Sequence, residues 1–313
     1  MERVIPVSGT TFESDFFSSP CLEVTAKGKR LRFVDSNRLA YKRAETLFSK
    51  EPTTIPWLES ILPNEVLIDI GANVGMYSIY AAAVAGCRVF AFEPEALNYA
   101  ELNKNIYVNG LHDRVSAFCI ALSDETKIGH LYLGAFGFGY SHHDFNENTW
   151  TQDKRFGDKV TSKDRRLLQG CVSATLDHVL QSGVVPAPQH IKIDVDGLES
   201  RVVKGAVAAL RHPNLRTVLI EIDHHIPEST AIIDAMVKAG WLYSLDQLRT
   251  NRKVIFSVEQ IESIRRRGTG GFNYIFYRDP EYDRLFADFL ANYVPPRSVD
   301  RATSAIRSGA FSE

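Results

Sequence analysis

Cysteine is scarce in this 313-residue chain: Cys21, Cys87, Cys119 and Cys171 are the full complement, and no two of them form a CxxC pair. That spacing argues against a zinc site or a dithiol redox motif. Cys87 and Cys119 flank or sit within apolar runs, so buried, reduced thiols are expected. A dominant charge is also missing. With 36 Lys and Arg against 38 Asp and Glu, the formal net charge is −2, which gives no long-range pull toward a nucleic-acid backbone. The one clear basic run, Arg265-Arg266-Arg267, reads as a solvated helix end that complements the helix dipole. No apolar run reaches the roughly 18–20 residues needed to span a bilayer. The opening Met1-Glu2-Arg3-Val4-Ile5-Pro6 lacks the basic start and apolar stretch of a secretory signal. A soluble, cytoplasmic protein is expected. The glycine pattern GxGxxG of a dinucleotide turn is absent as well.

What is present is enough apolar sequence, 44%, to bury one substantial core. Residues 1–54 read as an N-terminal extension, with a hairpin predicted from 22–25 and 31–34 around Lys27-Gly28-Lys29. From 55 to 280 the pattern becomes regular. Strands are predicted at 66–70, 88–92, 115–122, 190–195, 217–222, 241–245 and 273–277. Helices are predicted at 76–85, 96–108, 199–210 and 229–239. This alternation argues for an open, mostly parallel sheet with helices on both faces. Residues 134–170 show no periodicity and read as a substrate or lid loop, and 281–313 as a helix and a polar tail.

The strongest motif lies at 66–75, VLIDIGANVG. A strand carries Asp69 to its C-terminal end, Gly71 permits a tight turn, and Gly75 opens a helix. A carboxylate before the loop would repel a pyrophosphate but suits a ligand bearing an ammonium group. An NAD-dependent oxidoreductase is therefore the weaker alternative. Glu93 ends the next strand, where a carboxylate can accept both hydroxyl protons of a ribose. Alone, either acid is as easily a helix cap or a solvated loop residue; together they point to a nucleoside site.

The ordered set resembles the FkbM family of S-adenosylmethionine-dependent methyltransferases. The matching pieces are Glu51-Pro52-Thr53-Thr54, the Asp69-to-Gly75 loop, Phe92-Glu93-Pro94, Asn105 with Asn109-Gly110, and Ala121-Leu122-Ser123-Asp124. Further on come Ala174-Thr175-Leu176-Asp177, the strand at 191–199, Lys204-Gly205-Ala206 and the closing strand at 273–277. The resemblance implies an α/β, class I methyltransferase Rossmann-like fold: a seven-stranded, mostly parallel sheet whose last strand is antiparallel. It implies that Asp69, Gly71, Ala72, Asn73 and Gly75 surround the amino-acid part of S-adenosyl-L-methionine. Glu93 and Pro94 would hold the ribose, and Ala121, Leu122 and Ser123 would line the adenine. Asp196 departs from the family pattern, which usually has Glu there.

Methyl transfer requires an acceptor oxygen held close to the methyl group and a base for its proton. Period-two alternation puts Lys192, Asp194 and Asp196 on one face of their strand. Asp194 or Asp196 is expected to act as base or substrate orienter beside the cofactor, with Glu221 as a third acid and Lys192 offsetting their charge. The competing reading is a buried Lys–Asp pair with Asp196 as a helix cap. Asp194, Asp196, Glu221 and Asp223 could also form a hard-cation site, but no spacing demands a metal, and none is expected. His142-His143 and His224-His225 are further base candidates. Phe136, Phe138, Tyr140 and Trp150 could pack a sugar face or form a small local core. The expected substrate is a hydroxyl on a saccharide or glycosylated metabolite, with no nucleic-acid partner. The contrasting possibility is a non-catalytic member that binds the cofactor or a partner protein.

Overall fold

The computed structural model describes residues 3–5, 11–13, 18–141, 143–145, 167–251 and 254–294. Its centre is a six-stranded sheet built from β1 (Val66–Ile70), β2 (Arg88–Phe92), β3 (Val115–Phe118), β4 (His190–Ile193), β5 (Thr217–Asp223) and β6 (Gly271–Tyr277). The order is β6-β5-β4-β1-β2-β3, and only the β5–β6 pair is antiparallel. Every residue of β1 and β4 is buried, as expected of central parallel strands covered on both faces. The strand order reverses between β1 and β4. Side chains at their carboxyl ends therefore face the crevice where open α/β sheets bind ligands.

The seventh strand expected at 241–245 is reduced to a single antiparallel bridge between Leu242 and Tyr277. One residue pair further along the β6 edge, the Gln247 side chain takes over the ladder. Its Oε1 accepts from Ile275 N at 2.6 Å and its Nε2 donates to Ile275 O at 3.2 Å. The run expected as one strand at 115–122 also divides. After Phe118 the chain leaves the main sheet, and Ala121–Leu122 pairs in parallel with Leu167–Ala174 in a second sheet. That sheet contains Lys127–Leu133 and Asp144–Phe145 as well, so part of the segment expected to be an aperiodic loop is strand. Much of the expected lid, including Trp150 and His142, lies outside the described residues.

The predicted helix at 199–210 breaks into Glu199–Lys204 and Val207–Arg211. Gly205 is the cause: a Cβ there would overlap the Ser123 carbonyl oxygen, so the backbones of two segments touch. Gly205→Ala should lower stability by about 1–3 kcal/mol through overpacking, which urea unfolding would measure. The helix expected at 76–85 begins as Met76–Tyr80 and widens into a π-turn at Ala81–Ala85 before Gly86 stops it at φ 74°.

The N-terminal hairpin is present as Ser18–Ala26 and Lys29–Val34, longer than the predicted pair. Leu22, Val24, Leu31 and Phe33 join one apolar cluster with Leu67 and Val89 of the main sheet. Two asparagines of the helix Ala96–Val108 and its cap hold the hairpin edge. Asn105 accepts from Val34 N at 2.8 Å and donates to Val74 O at 2.8 Å, while Asn109 exchanges both bonds with the backbone of Arg32. No helix among the described residues is long and apolar enough to cross a membrane.

Candidate active site

The site forms at the carboxyl ends of β1, β2, β4 and β5, where the glycine loop meets the strand beside it. A Cβ on Gly71 would overlap the Asp194 carbonyl oxygen, and Gly71 sits at φ 78°. Glycine is needed here for both the turn and the close approach of β4. Gly71 N and Ala72 N donate to Phe92 O at 2.9 and 3.1 Å, tying the loop to β2. Asn73 adopts a left-handed φ of 51°, and its N–H donates to Glu93 Oε2 at 2.8 Å. Gly75, at φ 85°, lets Leu102 pack against the start of the helix.

Glu93 is buried, and its second oxygen accepts from Glu95 N at 2.9 Å. Burial pushes its carboxyl up to about 7 despite those two backbone donors. Pro94 sits beside it, and Cys119 Sγ lies 3.8 Å from the Pro94 carbonyl oxygen. Cys119 is exposed rather than buried, because β3 ends one residue earlier and the chain turns away there. Ala121 packs with Leu131, Leu133, Phe145 and Cys171, whereas Leu122 belongs to the core of the main sheet. Ser123 is buried between Ala174, whose carbonyl accepts its N–H, and Gly205.

Asp69 is buried beneath the loop, with Oδ2 accepting from Ser78 Oγ at 2.6 Å. Its Oδ1 lies 3.7 Å from Lys192 Nζ, and Lys192 reaches Asp194 Oδ2 at 2.9 Å. Burial raises the Asp69 carboxyl, with Lys192 and Ser78 opposing it. For Lys192, burial works against the charge, yet Asp194, Asp69 and Glu51 hold its pKa above the ordinary lysine value. Burial likewise disfavours ionised Asp194, but the ammonium groups of Lys192 and Lys50 outweigh it and keep the carboxyl low. Glu221 hydrogen-bonds Asp194; the Asp194 charge first, and burial second, push the Glu221 carboxyl well above the usual range. β4 and β5 thus deliver a cation, an ionised carboxylate and a carboxyl that resists ionisation to one place.

Asp196 lies just past β4 at φ 55°, in the left-handed region. One oxygen of each of Asp194, Asp196 and Glu221 lies within 4.8 Å of the others. Asp223 stands apart from that trio and pairs with His225 at 2.8 Å. A cleft runs past Gly71, Asn73, Lys192, Asp194, Asp196 and Glu221. Sequence reading left out its other wall, Arg43, Lys50 and Tyr77, since the first two lie before the regular pattern begins. Arg43 Nε donates to Gly139 O at 2.6 Å, and Lys50 pairs with Glu51 at 2.7 Å. Glu51 also accepts from Asn273 Nδ2 at 2.8 Å. The Glu51-Pro52 pair was the available signal, but only the fold sets it opposite β4.

Among the described residues, the histidine candidates His143, His224 and His225 do not line this cleft. His224 is buried and bonds Tyr274 OH at 3.0 Å, and its pKa is lowered by burial. His225 lines a neighbouring cavity with Asp223, and His143 Nδ1 accepts from Gly134 N at 3.3 Å. Tyr140 contributes its carbonyl, which accepts from Asn73 Nδ2 at 2.8 Å and Asn98 Nδ2 at 2.9 Å. Phe136 is exposed, and Phe138 packs under Lys104.

A family model described as the methyltransferase FkbM domain matches residues 69–245. The hexuronic acid methyltransferase AglP of Haloferax volcanii is 28% identical over 165 residues, which cover 53% of this chain and 59% of that protein. The 31-O-demethyl-FK506 methyltransferase FkbM of Streptomyces tacrolimicus is 27% identical over 225 residues, covering 67% of this chain and 83% of that one. A crystal structure of methyltransferase FkbM from Methylobacillus flagellatus aligns with a TM-score of 0.43 at 14% identity, over 73% of this chain and 48% of that one. The matched residues take in the glycine loop, Glu93 and the acidic ends of β4 and β5, and they make up more than half of the sequence: the chain belongs to the FkbM family of methyltransferases.

Proposed function

We propose that this protein transfers a methyl group from S-adenosyl-L-methionine to a hydroxyl oxygen of a saccharide or glycosylated metabolite. The observation that carries the reading is Glu93: a buried carboxylate at the end of β2, held by Asn73 N and Glu95 N across the glycine loop. Each of its oxygens keeps a lone pair for a ribose hydroxyl. Asn73 Oδ1 is buried without a hydrogen-bond partner and borders the cleft, so it suits the ammonium of the amino-acid end. Gly71 and Ala72 supply the bare backbone, and Asp69 supplies charge beneath it. Pro94 and the segment from Cys119 to Ser123 close the nucleoside end.

When bound, the sulfonium supplies an activated methyl group. The acceptor oxygen takes the methyl carbon, the carbon–sulfur electron pair stays on sulfur, and the hydroxyl proton passes to the carboxylate of Asp194 or Asp196, with Glu221 orienting the acceptor. Lys192 keeps Asp194 ionised and fixed in position. The oxygen acceptor is supported by the 31-O-demethyl-FK506 methyltransferase and the saccharide by the hexuronic acid methyltransferase, both similar to this chain. Isothermal titration with S-adenosylmethionine, S-adenosylhomocysteine and NAD tests the cofactor. Saturable binding of the first two alone is expected; binding of NAD instead would overturn the reading.

A further inference from the structure

The carboxylates at the ends of β4 and β5 border more than the cofactor cleft. Glu221 lines the cleft itself, a second cavity with Thr250 and Asn273, and a third with Asp196, Glu199 and Asp223. One oxygen from each of Asp194, Asp196 and Glu221 lies within 4.8 Å of the others. Oxygens around a single magnesium-sized ion at about 2.1 Å stand roughly 3–4 Å apart, so a small closure would bring all three to one cation.

An acidic cluster alone is common. Two buried polar groups beside this one are not at rest. Glu199 is 1% exposed, and its Oε2 has no hydrogen-bond partner, while its Oε1 accepts from Val195 N and Gly197 N around Asp196. Thr250 is 4% exposed, and its Oγ1 has no partner either. Both line cavities that Glu221 also lines. Buried polar atoms in folded proteins are nearly always satisfied, so two exceptions around one carboxylate trio point to a polar guest. Lys192 holds Asp194 Oδ2 at 2.9 Å and Lys50 pairs with Glu51 at 2.7 Å, so a cation would be met by the second oxygen of Asp194.

We propose that Asp194, Asp196 and Glu221 bind one divalent cation of the magnesium class, with Glu199 holding the loop that presents Asp196. Hard carboxylate oxygens without sulfur or imidazole select magnesium, manganese or calcium over zinc or copper. The cation sits beside the cleft, where it can hold an acceptor hydroxyl as a further ligand. That use rests on the methyl-transfer reading above; the binding of the ion does not.

The test is titration of the full chain with manganese, followed by calorimetry and by the electron paramagnetic resonance signal of the free ion, with magnesium as competitor. One saturable site is expected, displaced by magnesium. It should weaken at least about tenfold in both Asp196→Asn and Glu221→Gln. Thermal unfolding and S-adenosylhomocysteine titration of each variant identify a protein that has failed to fold. No saturable manganese binding by the natural chain, or binding unchanged in both variants, overturns the cation site. Loss of the cation alone, with S-adenosylhomocysteine still bound, leaves the methyltransferase reading standing. A chain that binds manganese but neither form of the cofactor overturns that reading and keeps the cation site.

Discussion

Asp194→Asn should reduce methyl transfer by about 10²- to 10⁴-fold, the range expected when a positioned proton acceptor is removed. S-adenosylhomocysteine affinity should stay within about threefold, because the cofactor contacts expected of Asp69, Asn73 and Glu93 are untouched. The amide has the size of the carboxylate, so the lost quantity is charge. Asp194 accepts from Lys192 Nζ at 2.9 Å and hydrogen-bonds Glu221, and both contacts depend on that charge. An asparagine cannot accept the proton, and as a cation ligand it offers a neutral oxygen in place of a charged one. A merely structural Asp194 would behave differently: its loss would lower the unfolding midpoint and weaken cofactor binding along with turnover. Full activity of the variant on a proven acceptor would move the proton-accepting role to Asp196.

Glu93→Ala should weaken S-adenosylhomocysteine binding by at least about 100-fold. Two charge-assisted hydrogen bonds from ribose hydroxyls contribute about 1.5–3 kcal/mol each, and each 1.4 kcal/mol is tenfold in affinity. The same residue predicts a pH dependence. Burial raises its carboxyl to about 7, and hydroxyl donors favour the ionised form. Affinity in the natural protein should therefore fall as pH drops below about 7, by at most about tenfold per unit. In the free protein the effect on stability has the opposite sense. A carboxyl whose folded pKa lies above its usual 4.5 contributes stability that is complete below that value and lost as pH rises through about 7. Bound cofactor should oppose that loss. Titrations at several pH values would show the slope, and Glu93→Gln should flatten it. A slope retained in the glutamine variant would assign the titration to another group.

Some of the motif residues matter for reasons that only the assembled fold displays. Asn105 and Asn109 hold the hairpin edge, and Asp177 caps the helix Val207–Arg211 through Ala208 N and Ala209 N at 2.8 Å. Gly205 is required because Ser123 passes against it. Each stands out in the sequence, and none of them reports chemistry by itself. Conversely, Lys50 and Glu51 lie in a stretch without periodicity, yet Lys50 lines the cleft with Lys192 and Asp194, and Glu51 lines the adjoining cavity with Glu221.

Local sequence was sufficient for β1, β2, β4 and β5, for the glycine loop, and for placing Asp69 and Glu93 on adjacent strand ends. Short apolar runs bounded by glycine and acid determine where a strand stops, and strand stops determine which side chains reach the sheet's carboxyl edge. The division of 115–122, the strands on either side of the long loop and the single bridge at Leu242 were decided elsewhere. Each depends on a partner far away in the chain, since Ala121 pairs with Ser173 and the Gln247 side chain completes the edge of β6. The carboxylate trio was decided in the same way. Alternation put Asp194 and Asp196 on one face, but a left-handed φ of 55° at Asp196 and the parallel register of β4 with β5 bring Glu221 to them. Backbone periodicity is a property of neighbours in the chain, whereas the charge of a site is a sum over residues that only packing brings together.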